Sequence, residues 1–487
     1  TLFRSAMVAA VMVMTMAPAA FAADGGAQFQ NGPYLLAPKT NSMVVVWEST
    51  EKVSATIAYG TDESKLCDPI KVEIDADAPD FKGSKMNLFH YKLDNLTPGT
   101  RYYYEVKLEG GATCKASFKT LSEKPDQIRL ITLSDSHIFA TRAELDQAIK
   151  EFDPDLLLHC GDMVEGTGAQ AEQFSFWFQG KVENDYIHSY PVVYSSGNHD
   201  QGGVYFNTYV YSIQDEEYGA EVEGDSSFNY AGLHIITMNS NPWGLFQMNS
   251  EATGQKADAA TIKTIDNAMN WLKKDLATDA AKNADFRLIF MHHPVSDAYT
   301  KRYIPAVIEP GKVDLLLSGH THSYARAVSS NPAVGAGTIY LTHQDARTYN
   351  KKGDFFYITS TPGSGVLDVK NYGATAAGQD SKVANETLVA KDKQQLSWSD
   401  ISITPSTVLY NGEVTVTAKV TNNGKGLAAA VIPVVDNGTT RYLYKFEDGI
   451  VTLDPGKSAT LTGTLRKRSE EHTSELQSLP NRVCRLL

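Results

Sequence analysis

Along residues 28–121 the apolar positions come in short runs rich in β-branched and aromatic side chains. MVVVWES (43–49), SATIAYG (54–60), FHYKLDNL (89–96) and RYYYEVKL (101–108) are separated by the turn signals TPGT and EGGAT. Such spacing predicts an all-β sandwich. From residue 126 to about 370 the pattern changes. IRLITLSD, DLLLHCGD, YPVVYSSGNHD, FRLIFMHHP and VDLLLSGH read as strands, SSFNYAGLHIITMNS as a hairpin, and RAELDQAIKEF as an amphipathic helix. A second helix is predicted over 262–276, where Ile262, Ile265, Met269, Leu272 and Leu276 recur at helical spacing. This middle segment is α/β, with sheets inside and helices outside. Residues 371–395, rich in Ala, Gly, Lys and Asp, read as a linker. Residues 396–467 return to β, with Val and Thr alternating in NGEVTVTAKVTNNG. No solenoid-type repeat is visible.

The two ends change the picture. TLFRS (1–5) and RSEEHTSELQS (468–478) resemble in-frame translations of sequencing-adapter DNA, so residues 1–5 and 468–487 are set aside. Residues 6–23 read as a signal peptide, an apolar run closing on the small residues AFAA. Read instead as a membrane helix, Ala6–Met16 is too short, and Pro18 breaks its continuation. The expected mature chain is therefore exported, secreted, periplasmic or associated with the cell envelope, without a transmembrane anchor. A formal net charge of −13 argues against nucleic acid or anionic membrane as a partner. Cys67 and Cys114 fall in one β segment and could pair in an oxidising compartment; Cys160 reads as a buried thiol, and Cys484 lies in the discarded tail.

Candidate chemistry comes from the strand ends of the middle segment. Five apolar runs lead to Asp135 and His137, to Asp162, to Asn198, His199 and Asp200, to His292 and His293, and to His320 and His322. Groups just beyond the carboxyl ends of strands share one face of an α/β fold. Singly, each has an ordinary explanation: Asp135 as a helix cap, Gly161–Asp162 and Gly197–Asn198 as turns, His292–His293 as packing. Jointly, they form a set of nitrogen and oxygen donors without cysteine. Even seven of these donors exceed one four-coordinate ion and suit two adjacent ions sharing a carboxylate, with imidazole favouring Zn, Fe or Mn. His90, in the N-terminal segment, reads as a packed core histidine rather than a ligand.

Taken in order, D-S-H, G-D, G-N-H-D, H-H-P and G-H-T-H resemble the calcineurin-like metallophosphoesterases. HYKLDNLTPGTRYYYEV resembles the N-terminal, fibronectin III-like domain of purple acid phosphatases, and residues 396–467 resemble immunoglobulin-like accessory modules. The resemblance implies a central β-sandwich (126–370) flanked by helices, between an N-terminal (28–121) and a C-terminal (396–467) β-sandwich. It further implies two divalent or mixed-valence metal ions (Fe, Mn or Zn), one held by Asp135, His137, Asp162 and His322 and the other by Asp162, Asn198, His292 and His320. His199 would stabilise the transition state or protonate the leaving oxygen, with Asp200 orienting it and His293 outside the ligand set. The implied reaction is hydrolysis of a small phosphate ester by in-line attack of a metal-bridging hydroxide. Purple acid phosphatases have Gly at the position of His137 and a metal-binding Tyr at that of Glu165, so a purple ferric centre is not expected. A phosphomonoesterase of acid-phosphatase type is the leading expectation. A phosphodiesterase or nucleotidase on the same metals is the rival within the class, and a non-catalytic surface protein using its β domains on the cell envelope is the rival outside it.

Overall fold

The computed structural model describes residues 26–76, 80–81, 84–137, 143–166, 171–180, 185–201, 205–244, 258–295, 304, 307–308, 313–328, 338–343, 355–371, 386–389, 396–405, 413–423, 428–430, 435–436, 441–442, 445–446, 451–453 and 456–466. The expected leader and both adapter-like ends lie outside the described residues.

The N-terminal segment folds into two sheets. One pairs Phe29–Leu36, Met43–Ser49 and Leu88–Leu93; the other joins Ile70–Val72, Ala55–Gly60, Arg101–Leu108 and Thr113–Lys119 in that spatial order. In Arg101–Leu108 the alternation is clean: Tyr102, Tyr104, Val106 and Leu108 are buried between the sheets. Trp47 stacks on Phe89 in the same core, ring centroids 5.3 Å apart. His90 corrects its expectation: its side chain is 41% exposed and pairs through Nδ1 with Asp75 at 2.7 Å. The strand puts it on the outer face, opposite Phe89. Cys67 and Cys114 are both free thiols, the first exposed and the second buried, and burial pushes Cys114 up to about 12.

The middle segment is a sandwich of two six-stranded sheets. In chain order its strands are β1 (Ile128–Leu133), β2 (Leu156–His159), β3 (Val192–Tyr194), β4 (Ser226–Tyr230), β5 (Leu233–Thr237), β6 (Phe286–Phe290), β7 (Leu315–Ser318), β8 (Ala325–Val328), β9 (Ile339–Thr342), β10 (Phe356–Ser360), β11 (Val366–Asn371) and β12 (Glu386–Val389). One sheet has the order β3-β2-β1-β10-β11-β12 and the other β4-β5-β6-β7-β9-β8. β1, β2 and β3 run parallel to one another, as do β5, β6, β7 and β9. The unbroken apolar runs follow from burial on both faces. Leu156 and Leu158 of β2 meet Leu315 and Leu317 of β7 in the central core, whereas Leu157 and Leu316 face outward into separate cores. α1 (Ala143–Phe152) and α2 (Ala171–Phe178) cover the first sheet. The second sheet is covered by a longer helix, numbered α4 (Ala259–Leu276) because a short α3 (Ser212–Tyr218) precedes it. Asp258 caps α4 by accepting from Thr261 N, which moves its start earlier than the periodicity suggests. Its buried stripe is Ile265, Ala268, Met269, Trp271, Leu272 and Leu276; Ile262 is 42% exposed, one turn too near the helix start to reach the sheet.

The expected linker is corrected in part. Asn371 ends β11, and Glu386–Val389 is β12, whose register with β11 buries Leu388 opposite Leu367. The first sheet thus extends past residue 370; a four-residue strand among charged and small residues gives little periodicity to read. Further on, Leu396–Thr404, Glu413–Asn422, Ser458–Arg466 and Lys445–Phe446 form a four-stranded sheet in that order.

The N-terminal domain docks on the first sheet's outer side through polar contacts inside an apolar seam. Tyr34 OH donates to Tyr209 O and Tyr104 OH to His188 O, both at 2.8 Å. Glu48 accepts from Asn31 Nδ2 at 2.6 Å and Tyr209 OH at 2.9 Å on a single oxygen. Burial raises the Glu48 carboxyl, and these two donors oppose that shift. Tyr209→Phe removes one of them and should destabilise the fold by about 1–3 kcal/mol. A thermal melt checks this; an unchanged midpoint would mean the tyrosine hydroxyl adds nothing to the seam.

Candidate metal centre

All five strand ends converge. β1, β2 and β3 of one sheet and β6 and β7 of the other bring their carboxyl ends to the same edge of the sandwich. Five of the side chains there, Asp135, His137, Asp162, His320 and His322, adopt left-handed backbone conformations with φ between 50° and 74°. Such geometry costs an ordinary residue of order 1–3 kcal/mol and persists only where the surroundings enforce it. Here the loops are laced together: Asp135 N donates to Gly161 O, His137 N to Asp162 O, and His320 N to both Asp135 carboxylate oxygens.

Two donor groups result, Asp135, His137, Asp162 and His322 in one and Asp162, His292 and His320 in the other, with the ligand atoms of each group within 4.8 Å of one another. Asp162 belongs to both. Asn198 joins the second group, its Oδ1 lying 3.0 Å from His292 Nε2 and 2.9 Å from His320 Nδ1. The division is the one that the motif resemblance implies. His293 stays outside it, buried, with Nδ1 2.9 Å from Ser240 Oγ.

The hydrogen bonding tests whether cations fit. His292 Nδ1 donates to Cys160 O at 2.9 Å, so its Nε2 presents a lone pair between Asn198 Oδ1 and Asp162 Oδ2, 3.2 Å away. Three acceptors facing one another require a proton or a metal ion among them. Burial opposes charge on His292, yet the Asp162 carboxylate outweighs it and raises the imidazole to about 9. Burial likewise opposes charge on Asp162, and His292 overrides it, holding that carboxyl well below its usual range. In the other group His137 Nε2 faces His322 Nε2 at 3.3 Å, and His322 Nε2 is 3.2 Å from Asp135 Oδ1. Buried carboxylates and inward-facing imidazoles of this kind fit divalent metals.

Asp200 departs from its expected role. Its carboxylate accepts from Gly197 N, Asp162 N and Met163 N at 2.7–2.8 Å and from Val164 N at 3.3 Å. It therefore ties the Asp162 loop to the Asn198 loop and does not orient His199. That task falls to a carbonyl: His199 Nδ1 donates to Glu165 O at 2.6 Å. His199 N also donates to Asp162 Oδ1 at 2.9 Å, and its Nε2 reaches to 3.9 Å from Asp162 Oδ2.

Two family models match the chain: calcineurin-like phosphoesterase over residues 128–324, and purple acid phosphatase N-terminal domain over residues 33–120. Residues 128–324 thus form a calcineurin-like phosphoesterase domain. No curated protein matches this phosphoesterase closely enough to be informative. Among solved structures, PhoD is similar at 11% identity over 71% of this chain and 85% of its own, with a TM-score of 0.47. A conserved uncharacterized protein of Streptococcus pneumoniae TIGR4, titled a predicted phosphoesterase, shares 11% identity over 54% of this chain and 99% of its own, at a TM-score of 0.25. Neither likeness is close enough to carry chemistry.

The phosphoesterase also contains supports that strand-end reading misses. His159 is buried in β2, accepts from Gly161 N at 3.1 Å through Nδ1, and so donates through Nε2 to Ser136 Oγ at 2.9 Å. Burial lowers it to about 3, which keeps the ring neutral and that tautomer fixed. Its signal in the sequence was only a polar residue inside an apolar run. Glycine is required where loops touch: a Cβ on Gly319 would lie 1.9 Å from Ser134 Oγ and 2.2 Å from Asp135 Oδ2. Gly319→Ala should displace Asp135 and weaken metal retention about 10–100-fold, as loss of ligand support commonly does. Metal content after dialysis against graded chelator measures it; wild-type retention would show that the loop yields freely.

Proposed function

We propose that the chain is an exported phosphoesterase with a dinuclear metal centre, hydrolysing small phosphate monoesters. The observation that carries this reading is the pair of donor groups joined by Asp162. Asp135, His137, Asp162 and His322 would hold one ion, and Asp162, Asn198, His292 and His320 the second. Two such ions, when bound, supply positive charge for the phosphate oxygens and acidify water. The chain's own residues do the rest. Asp135 and Asp162 place buried negative charge beneath the centre, while His199, 35% exposed, holds Nε2 3.9 Å from Asp162 Oδ2, within reach of where an ester would bind. With Nδ1–H committed to Glu165 O, a protonated His199 can give its Nε2 proton to the leaving oxygen.

The metals would be Zn, Mn or Fe(II). Position 165 carries a carboxylate rather than a phenol, and an additional imidazole, His137, stands in the set, so the loaded protein should lack the strong visible band of a tyrosinate–ferric centre. Absorption spectroscopy on protein of measured metal content decides it: an intense visible band would refute the assignment. A panel of monoesters and diesters with each metal tests the substrate. Preference for monoesters supports the proposal, and preference for diesters or nucleotides moves the enzyme to the rival activity.

Export rests on the apolar leader read at 6–23, and among the described residues no helix is long and apolar enough to cross a membrane. The N-terminal domain, proposed to be fibronectin III-like, serves as packing support for the catalytic sheet, consistent with its buried seam. An immunoglobulin-like module from 396 is the proposal for the C-terminal sheet, with the cell envelope as its partner.

A further inference from the structure

The loop after β2 presents a side chain that neither donor group includes. Its backbone is fixed from outside the site: Gln173 Oε1 of α2 accepts from Glu165 N at 3.1 Å and from Gly166 N at 2.7 Å. A Cβ on Gly166 would come within 2.5 Å of Gln173 Nε2, so the close approach depends on glycine there. Held this way, the Glu165 carboxylate places Oε2 3.3 Å from His137 Nδ1. The same Nδ1 lies 3.1 Å from Val164 O. Two oxygen acceptors on one side of the ring put the proton on Nδ1. Nε2 is then left as a lone pair directed at His322 Nε2, 3.3 Å away. His137 is 1% exposed and Glu165 46%, so the carboxylate stays solvated while the imidazole behind it does not.

We infer that Glu165 is a positioning residue for His137, setting its tautomer, its ring direction and its donor strength towards the ion held by Asp135, Asp162 and His322. This rests on the reading of that group as a metal site. A carboxylate behind a ligating imidazole fixes the ring and makes it a stronger donor. The backbone carbonyl of Val164 already fixes the tautomer; the charge is what Glu165 adds. The effect falls on the ion that His137 faces: the second ion shares Asp162 with it, but its other ligands, Asn198, His292 and His320, are supported by Cys160 O and one another and not by Glu165.

The test uses full-length protein stripped of metal and titrated with Zn²⁺ against a competing chelator, for wild type, Glu165→Gln and Glu165→Ala. Wild type should bind two ions. Each variant should hold one with unchanged affinity and the other about 10–100-fold more weakly, with the glutamine milder than the alanine. His137→Ala should weaken the same ion, and adding Glu165→Ala to it should cost little more. Glu165→Gln preserves side-chain volume, so misfolding of the alanine variant would not remove the test. Two ions bound at wild-type affinity in Glu165→Gln and Glu165→Ala, or equal weakening of both ions, would overturn the role of Glu165 while leaving the dinuclear centre standing. A wild type that takes up no zinc would overturn the metal reading itself.

Discussion

Asp162→Ala should leave the protein with neither metal ion and reduce phosphate ester hydrolysis by about three orders of magnitude or more. No other side chain belongs to both donor groups. Its Oδ2 is 3.2 Å from His292 Nε2, and its Oδ1 accepts the backbone N–H of His199 at 2.9 Å. Removing the carboxylate therefore deletes a ligand from each ion, leaves the His292 and His137 lone pairs without an anion between them, and frees the backbone that carries His199. Charge stabilisation by a metal pair amounts to several kcal/mol, and about 1.4 kcal/mol is one decade of rate. Asp162→Asn separates the contributions: an amide oxygen can still accept from His199 N, but the charge is gone. Metal analysis alongside kinetics is decisive. Retention of both ions by the alanine variant, with turnover near wild type, would remove Asp162 from its central place.

Much of this site is readable in the chain because strand ends and candidate ligands coincide. Each apolar run that is buried on both faces must stop where the sheet stops, and the next polar residue is delivered to the shared edge. Asp135, Asp162, Asn198, His292 and His320 are legible for that reason. The supports are not, since they depend on which loops touch across the edge. Nothing in the order G-N-H-D says that the Asp200 carboxylate turns back to four backbone amides while a carbonyl of the loop after β2 receives His199. Similarly, β12 is short and flanked by polar residues, and only its pairing with β11 makes Leu388 a core residue. Ile262 shows the converse limit: periodicity identifies the helix face but not how far along the helix the sheet extends.

His199→Ala should keep both metals and lower kcat by about 100- to 10,000-fold, the usual scale for general acid–base assistance. The imidazole is in neither donor group, so metal content should match wild type. What disappears is a part-exposed ring whose Nδ1 is fixed on Glu165 O at 2.6 Å and whose Nε2 lies 3.9 Å from Asp162 Oδ2. Two roles fit that placement, protonating the leaving oxygen or stabilising charge on the phosphate, and the leaving group separates them. A proton donor matters most for an alkyl phosphate, whose alkoxide leaves poorly, and least for an aryl phosphate with a strongly acidic phenol. Charge stabilisation on the phosphate is needed by both substrates alike. A loss in kcat several-fold to a hundred-fold larger for the alkyl ester therefore assigns the acid role; equal losses assign transition-state stabilisation. Unchanged turnover of both esters at full metal occupancy would take His199 out of the reaction altogether, leaving its bond to Glu165 O as a structural tie between the loops after β2 and β3.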